Sequence, residues 1–321
     1  MKRFLLATCA VIGTALTGGA LAQAWPNKPI RLVVGYTPAG AGDVIARIVG
    51  DAISRQLGQT VTVDNKPGAG STLASEIIAR APPDGYTLGL GTSTIYGVDQ
   101  HLYKVKYKAT DFTPITRLTV SPLILAINKD LGPKTVPELI AYMRANPGKL
   151  NYSSSGIGGS PHLGGLALER MAGGRMVHVP FKGGAPALQS VASGDVQLSF
   201  GTAPSVLPMG QQGLVRMLAV STAQRSAVAP ELPTIAEAGL PGFDFTFWFG
   251  LFGPAGVPKE ITDRVYAVTA KALADPQIKA RLLIGGNEAA PSRSPGDFAE
   301  TAMADGKVTL ERVVQAGIKL E

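Results

Sequence analysis

Thiols, histidines and long apolar runs are scarce in this chain, and each scarcity excludes a chemistry. Of 321 residues only one is cysteine, Cys9, and it lies within the first two dozen. Beyond it there is no thiol for a disulfide, an Fe–S centre or a nucleophile. The three histidines, His101, His162 and His178, have no H-x-x-x-H or cysteine spacing. No metal site is therefore expected. No G-x-S-x-G elbow occurs, and Ser160 close to His162 does not by itself make a triad, so a hydrolase built on that pair is the weaker reading. Gly40-Ala41-Gly42 follows a strand-like run and opens a helix, but Ile45 stands where a dinucleotide fingerprint needs its third glycine. Gly68-Ala69-Gly70 fails in the same way at Leu73, and no P-loop is present. No cofactor is expected. Basic residues are scattered and form no long run, which argues against nucleic acid as a partner. Outside the N-terminus no stretch reaches the ~18 apolar residues of a membrane span.

The N-terminus has a layout of its own. Lys2 and Arg3 precede a mostly apolar stretch from Phe4 to Leu21, followed by overlapping A-x-A sites ending at Ala22 and Ala24. This is the pattern of a secretory signal peptide, here residues 1–22, with cleavage after Ala22 or Ala24. Thr8 before Cys9 does not suit lipidation. Losing Lys2 and Arg3 lowers the formal charge of +7 by two. What remains is long enough for two lobes, each with its own core. With 39 glycines, 24 prolines and 45% apolar residues in short runs, it reads as neither a helix bundle nor a disordered chain.

Strand-like and helix-like segments alternate. Ile30 to Val34 is an unbroken branched run, the mark of a buried strand. A Gly-rich turn leads to an amphipathic helix with Ile45, Ile48, Val49, Ala52 and Ile53 on one face. Short strands at Val61–Val63 and Tyr86–Leu90 enclose a helix over about 71–80. This order implies a parallel sheet with helices on its faces. A second unit begins at strand Leu123–Ile127, and Thr135-Val136-Pro137-Glu138 is a capping box that starts its first helix. Strands at 150–152, 177–179, 196–200 and 215–220 follow, with helices over 161–171 and 186–191. The last part holds an aromatic strand, Phe243–Phe252, and a long helix over 295–315. It has few strands of its own and is expected to return to the first lobe. The organisation expected is a first lobe over 23–120, a second over 121–243 and a return over 244–321. The crossings fall near 116–126 and 240–248.

Several strand-to-helix turns share an unusual composition. They are Thr37 to Asp43, Gly91 to Thr94, Ser153 to Ser160, and Lys182-Gly183-Gly184. Unused amides at a helix start, aided by its dipole, favour an anion, and serine or threonine hydroxyls add donors. In open α/β sheets ligands bind beyond the carboxyl ends of strands. Such turns in both lobes point to an anion cleft. Asp43 fits better as a first-turn carboxylate than as a ligand group. Lys182 either pairs with the anion or sits solvated at the rim. Of Phe245, Phe247, Trp248 and Phe249, Trp248 is the one expected to face ligand.

The order of motifs along the chain is itself informative. Trp25-Pro26-x-Lys28-Pro29-Ile30-Arg31, Asn65 to Gly70, Pro83 to Leu88, Asn146 to Gly156, Val179 to Gly183, Pro233 to Gly239 and Pro254 to Pro258 follow one another. The chain resembles the Bug family, receptors of tripartite tricarboxylate transporters. The resemblance implies an α/β, two-lobed periplasmic binding fold of type II, with two helix-flanked sheets and an interlobe ligand cleft. It implies a monomer without catalytic activity. That monomer would hold a small organic carboxylate, aromatic or dicarboxylic among the options, for membrane transporter subunits or a sensor protein. By position it points to Tyr36, Ala39, Gly40, Asp43, Thr92, Ser93, Ser155, Gly156, Ser160, His162 and Thr202, with Lys182 and Trp248 added from the reading above. Two departures stand out. Ala39-Gly40-Ala41-Gly42-Asp43 lacks the family's usual threonine, and Gly201 stands where the family often has aspartate. Loss of that acid leans the reading toward an unaminated ligand.

Overall fold

The computed structural model describes residues 25–318 apart from 39, 182 and 316. The segment expected to be a signal peptide, residues 1–22, and the side chains of Ala39 and Lys182 lie outside the described residues. The first elements are β1 (Ile30–Val34), α1 (Ala41–Leu57), β2 (Val61–Asn65), α2 (Thr72–Ala79), β3 (Thr87–Gly91), α3 (Val98–Leu102) and β4 (Phe112–Ser121). β1 pairs in parallel with both β2 and β3, as the alternation predicts. The apolar stripe of α1 is buried, and Gly58 in the left-handed region closes the helix by donating to the Ser54 carbonyl at 3.0 Å. Each such buried aliphatic side chain contributes about 1.5–3 kcal/mol.

The chain changes sheets at Pro122. β5 (Leu123–Asn128), α4 (Val136–Ala145), β6 (Leu150–Ser154), α5 (Ser160–Ala172), β7 (Met176–Pro180), α6 (Gly184–Ser193), β8 (Leu198–Thr202), α7 (Ala203–Gln211) and β9 (Val215–Val220) follow. They form a five-stranded sheet in the order β7-β6-β8-β5-β9. Its β5 runs antiparallel to both neighbours. The capping box at Thr135 closes differently from its usual form. Thr135 Oγ1 accepts from the Glu138 amide at 3.3 Å, but Glu138 reaches one residue further back, to the Lys134 amide at 2.7 Å.

The remaining elements are β10 (Phe247–Pro254), α8 (Lys259–Ala274), α9 (Pro276–Ile284), β11 (Glu288–Ala289) and α10 (Pro295–Gln315). β10 and β11 complete a six-stranded sheet in the order β11-β4-β10-β3-β1-β2. The two connections between sheets run side by side and are tied by one fully buried residue, Ser221. Its hydroxyl accepts from the Leu123 amide at 3.0 Å and donates to the Phe245 carbonyl at 2.7 Å, while its carbonyl accepts from the Phe245 amide at 2.8 Å. Ser121 Oγ meets Asn287 Oδ1 beside them. α10 serves both lobes: Phe298 and Ala302 pack into the first core, Val313 into the second. Glycine at 306 lets this helix lie on Tyr96, whose Cβ would be 2.2 Å from an added methyl.

Candidate functional site

A cleft of about 1330 Å³ lies between the two sheets, and the turns that leave β1, β3, β6 and β8 line it. Tyr36, Gly40, Thr92, Ser93, Ser155, Gly156, Ser160 and Thr202, named from the sequence, all stand in its wall. α1, α5, α6 and α7 begin at this cleft without a side-chain cap, as do α2, whose preceding Ser71 lines it, and α3, whose Val98 and Asp99 do. The contrast with helices that begin elsewhere is informative. α4 is capped by Thr135, α9 by Asp275 and α10 by Ser294, although α8, started by Pro258, is not. Uncapped amides concentrated in one cleft, each end carrying about half a positive charge, make a receiving surface for an anion.

α1 and α5 match closely. Gly40 precedes α1 at φ −70°, ψ 162°, and Gly159 precedes α5 at φ −71°, ψ 162°. Both come from lining turns of opposite sheets. The turn before α5 needs glycine at 156, where φ is 140°. Ser154 Oγ steadies that turn, accepting from the Gly156 amide at 3.1 Å. In the first turn of α1, Gly42 allows the Tyr36 ring to lie 2.4 Å from where a Cβ would stand. Tyr36 donates its shape to the wall, edge-on to Phe249 at 5.3 Å, and burial pushes its hydroxyl up to about 12. It stays neutral and repels no anion.

Three residues named from the sequence fall outside the wall. Trp248 is buried in the first core, edge-on to Phe298 at 5.4 Å, and its Nε1 donates to Asp305 at 2.9 Å. Strand alternation decides this: Phe247 and Phe249, one residue either side, project to the opposite face and line the cleft. Asp43 is buried and turned back on its own scaffold, paired with Arg47 at 3.0 Å and accepting from Asn65 Nδ2 at 2.9 Å. It props the turn and does not face the cleft. His162 lies behind the α5 turn, where Nδ1 accepts from the Gly158 amide at 3.0 Å. Its ring stacks on His178 at 3.7 Å, and burial pushes its pKa down to about 3. Thus Ser160 has no histidine base in the positions of these rings.

The structure also adds residues that the sequence reading missed. Asp99, Asp244, Asp305 and Arg312 line the cleft, the last two from α10. Arg312 Nη2 donates to the Asp244 carbonyl at 3.2 Å, and its guanidinium lies 5.7 Å from the centre of the Phe245 ring. No local motif signals them, because α3, the segment before β10 and α10, far apart in sequence, bring them to the cleft. Among the described residues no cluster of histidine or carboxylate could hold a metal. No helix there is long and apolar enough to cross a membrane.

Comparison with known proteins agrees with this architecture. Residues 45–299 match the model of the tripartite tricarboxylate transporter family receptor. A Pseudomonas protein of the tcbD-tcbE intergenic region is 36% identical over 280 residues, covering 86% of this chain and 83% of its own. A solved R. palustris protein described with adipate is 34% identical, covers 92% of this chain and 100% of its own, and superposes with a TM-score of 0.79. MatC of Rhodopseudomonas palustris, with bound malate, is 31% identical with a TM-score of 0.76, over 90% of this chain and 100% of its own. The family is one of transporter receptors rather than enzymes, and the chain belongs to the tripartite tricarboxylate transporter receptor family.

Proposed function

We propose that this chain is a periplasmic receptor that captures a small organic carboxylate and delivers it to the membrane subunits of a tripartite tricarboxylate-type transporter. The observation that carries the reading is the set of uncapped helix starts, α1 from one lobe and α5, α6 and α7 from the other, lining one cleft. A carboxylate there takes up main-chain amides that otherwise lack a cap, and each favourable helix-end contact contributes roughly 0.3–1 kcal/mol. The hydroxyls of Thr92, Ser93, Ser155 and Ser160 add further donors around it. Tyr36, Phe245, Phe247 and Phe249 suit a ligand with an apolar body, aliphatic or aromatic. The neighbours described with adipate and with malate support dicarboxylates as the first acids to try. One chain supplies both walls, which suits a monomer. The signal-like N-terminus supports export.

The test is a thermal-shift screen of the mature protein against organic acids. A ligand at about 100 times its dissociation constant adds roughly 2.7 kcal/mol of stability. At least one carboxylate should raise the unfolding temperature by several degrees, while inorganic phosphate should not. If the folded protein responds to no organic acid, the reading fails.

A further inference from the structure

Asp99 is the buried one of three acids, with exposed Asp244 and Asp305, that line a cleft whose helix starts suit an anion. It stands in the first turn of α3, 2% exposed, and still forms part of the cleft lining. One carboxylate oxygen accepts from the Tyr107 hydroxyl at 2.8 Å. The Thr94 hydroxyl, 3.1 Å from Thr92 Oγ1, lies close enough to lower the Asp99 pKa. Among the described residues it forms no ion pair with lysine, arginine or histidine. Burial raises its pKa to about 6, against the effect of the Tyr107 and Thr94 hydroxyls. Tyr36 after β1, and Tyr103 and Tyr107 after α3, face it and have pKa values raised by burial; Glu76 of α2 lies beyond Tyr107.

A carboxylate offers about four acceptor positions. The Tyr107 hydroxyl, with Thr94 nearby, leaves part of that capacity unused, at a depth where an uncompensated charge is costly. Positioning Tyr107 would need no acid in the wall of the cleft. On the facing lobe, Gly201 lines the cleft without any acceptor side chain, and of the lining acids Asp99, Asp244 and Asp305, Asp99 alone is buried.

We infer that Asp99 determines specificity by accepting a hydrogen bond from a donor on the ligand, so that the preferred carboxylates carry an ammonium or hydroxyl group. This rests on the carboxylate reading and deepens it. The helix starts of α1 and α5 hold the acid group, while Asp99 repels a second anion beside it and attracts a donor. An ionised ligand ammonium also offsets the burial of Asp99. The lean toward unaminated ligands, drawn from Gly201 alone, is thereby reversed.

The experiment is titration calorimetry at pH 8 with acids in matched triples that differ at one carbon in hydrogen, hydroxyl or ammonium. Succinate, malate and aspartate form one; hydrocinnamate, phenyllactate and phenylalanine form another. Within a triple that binds, a donor-bearing member should bind about tenfold or more tightly than its unsubstituted partner. Asp99→Asn should bring the ammonium member to about the affinity of the unsubstituted one. Tyr107→Phe, which removes the internal bond and keeps the acid, should retain the preference. Binding of the ammonium member to the native protein should weaken as pH falls from 8 to 5, because protonated Asp99 is no longer a charged acceptor. That profile decides the matter if Asp99→Asn does not fold. Binding confined to acids without a donor, equal affinities within a triple, a flat profile, or a preference that survives Asp99→Asn overturns the proposal. Failure of the native protein to bind any organic acid overturns the carboxylate reading itself.

Discussion

His162 and His178 lie face to face at 3.7 Å, with Ser154 Oγ 2.6 Å from His178 Nε2 and the Gly158 amide on His162 Nδ1. Burial pushes their pKa values down to about 3 and about 4, from an ordinary value near 6.5. Below that ordinary value the unfolded chain binds protons that the folded chain refuses. The pair therefore contributes stability that is complete above about pH 6.5 and is lost as pH falls toward 4. Asp99 acts in the opposite sense, since its raised pKa favours the folded state as pH falls through 6. NMR separates the two: the ring signals of His162 and His178 should not move between pH 8 and 5, and a titration near 6.5 would contradict the buried stack. Sequence could name His162 as near the site but not its depth, which depends on His178 of β7 and Tyr152 of β6. It placed Trp248 in the wall for a similar reason. Along Phe247-Trp248-Phe249 the composition is aromatic on both faces, and only pairing with β4 fixes which face meets the cleft.

The elements themselves were more legible. Strand Ile30–Val34 and the helix over 295–315 stand where the pattern put them, because an unbroken branched run and a long amphipathic period are strong local signals. β4, α7 and α9 were not read. β4 carries Thr and Arg among its apolar residues, α7 holds Pro204 and Pro208, and α9 is short; tertiary packing decides all three. The uncapped start of α5 gives a direct test at this scale. Gly159 has an extended φ of −71°, and an added Cβ would lie 3.5 Å from the nearest atom, the Gly156 carbonyl oxygen. Gly159→Asp should therefore fold, cap the helix and add roughly a few tenths of a kcal/mol of stability. It should also abolish carboxylate binding, since the new side chain takes the amide and brings a like charge. A rise in the denaturation midpoint together with undiminished affinity would remove α5 from the account.

For the whole molecule, two helix-flanked sheets followed from length, strand–helix alternation and resemblance. The depth of the connection between lobes did not. Ser221 binds the two crossing segments together, and Glu288 of β11 accepts from Ser226 Oγ and, at 3.1 Å, from the Ala227 amide of the other lobe. Contacts between residues 24 to 98 positions apart leave no local trace in sequence. α10 is the clearest case: read as a return to the first lobe, it reaches both cores. The central claim is that one carboxylate is held at once by helix starts from both lobes. Amide hydrogen exchange, with and without a saturating organic acid that raises the unfolding temperature, tests it most directly. Exchange should slow together at the first-turn amides of α1, Ala41 and Gly42, and of α5, Ser160 and His162. Protection confined to one lobe, or absent from both helix starts while the acid is bound, would contradict it.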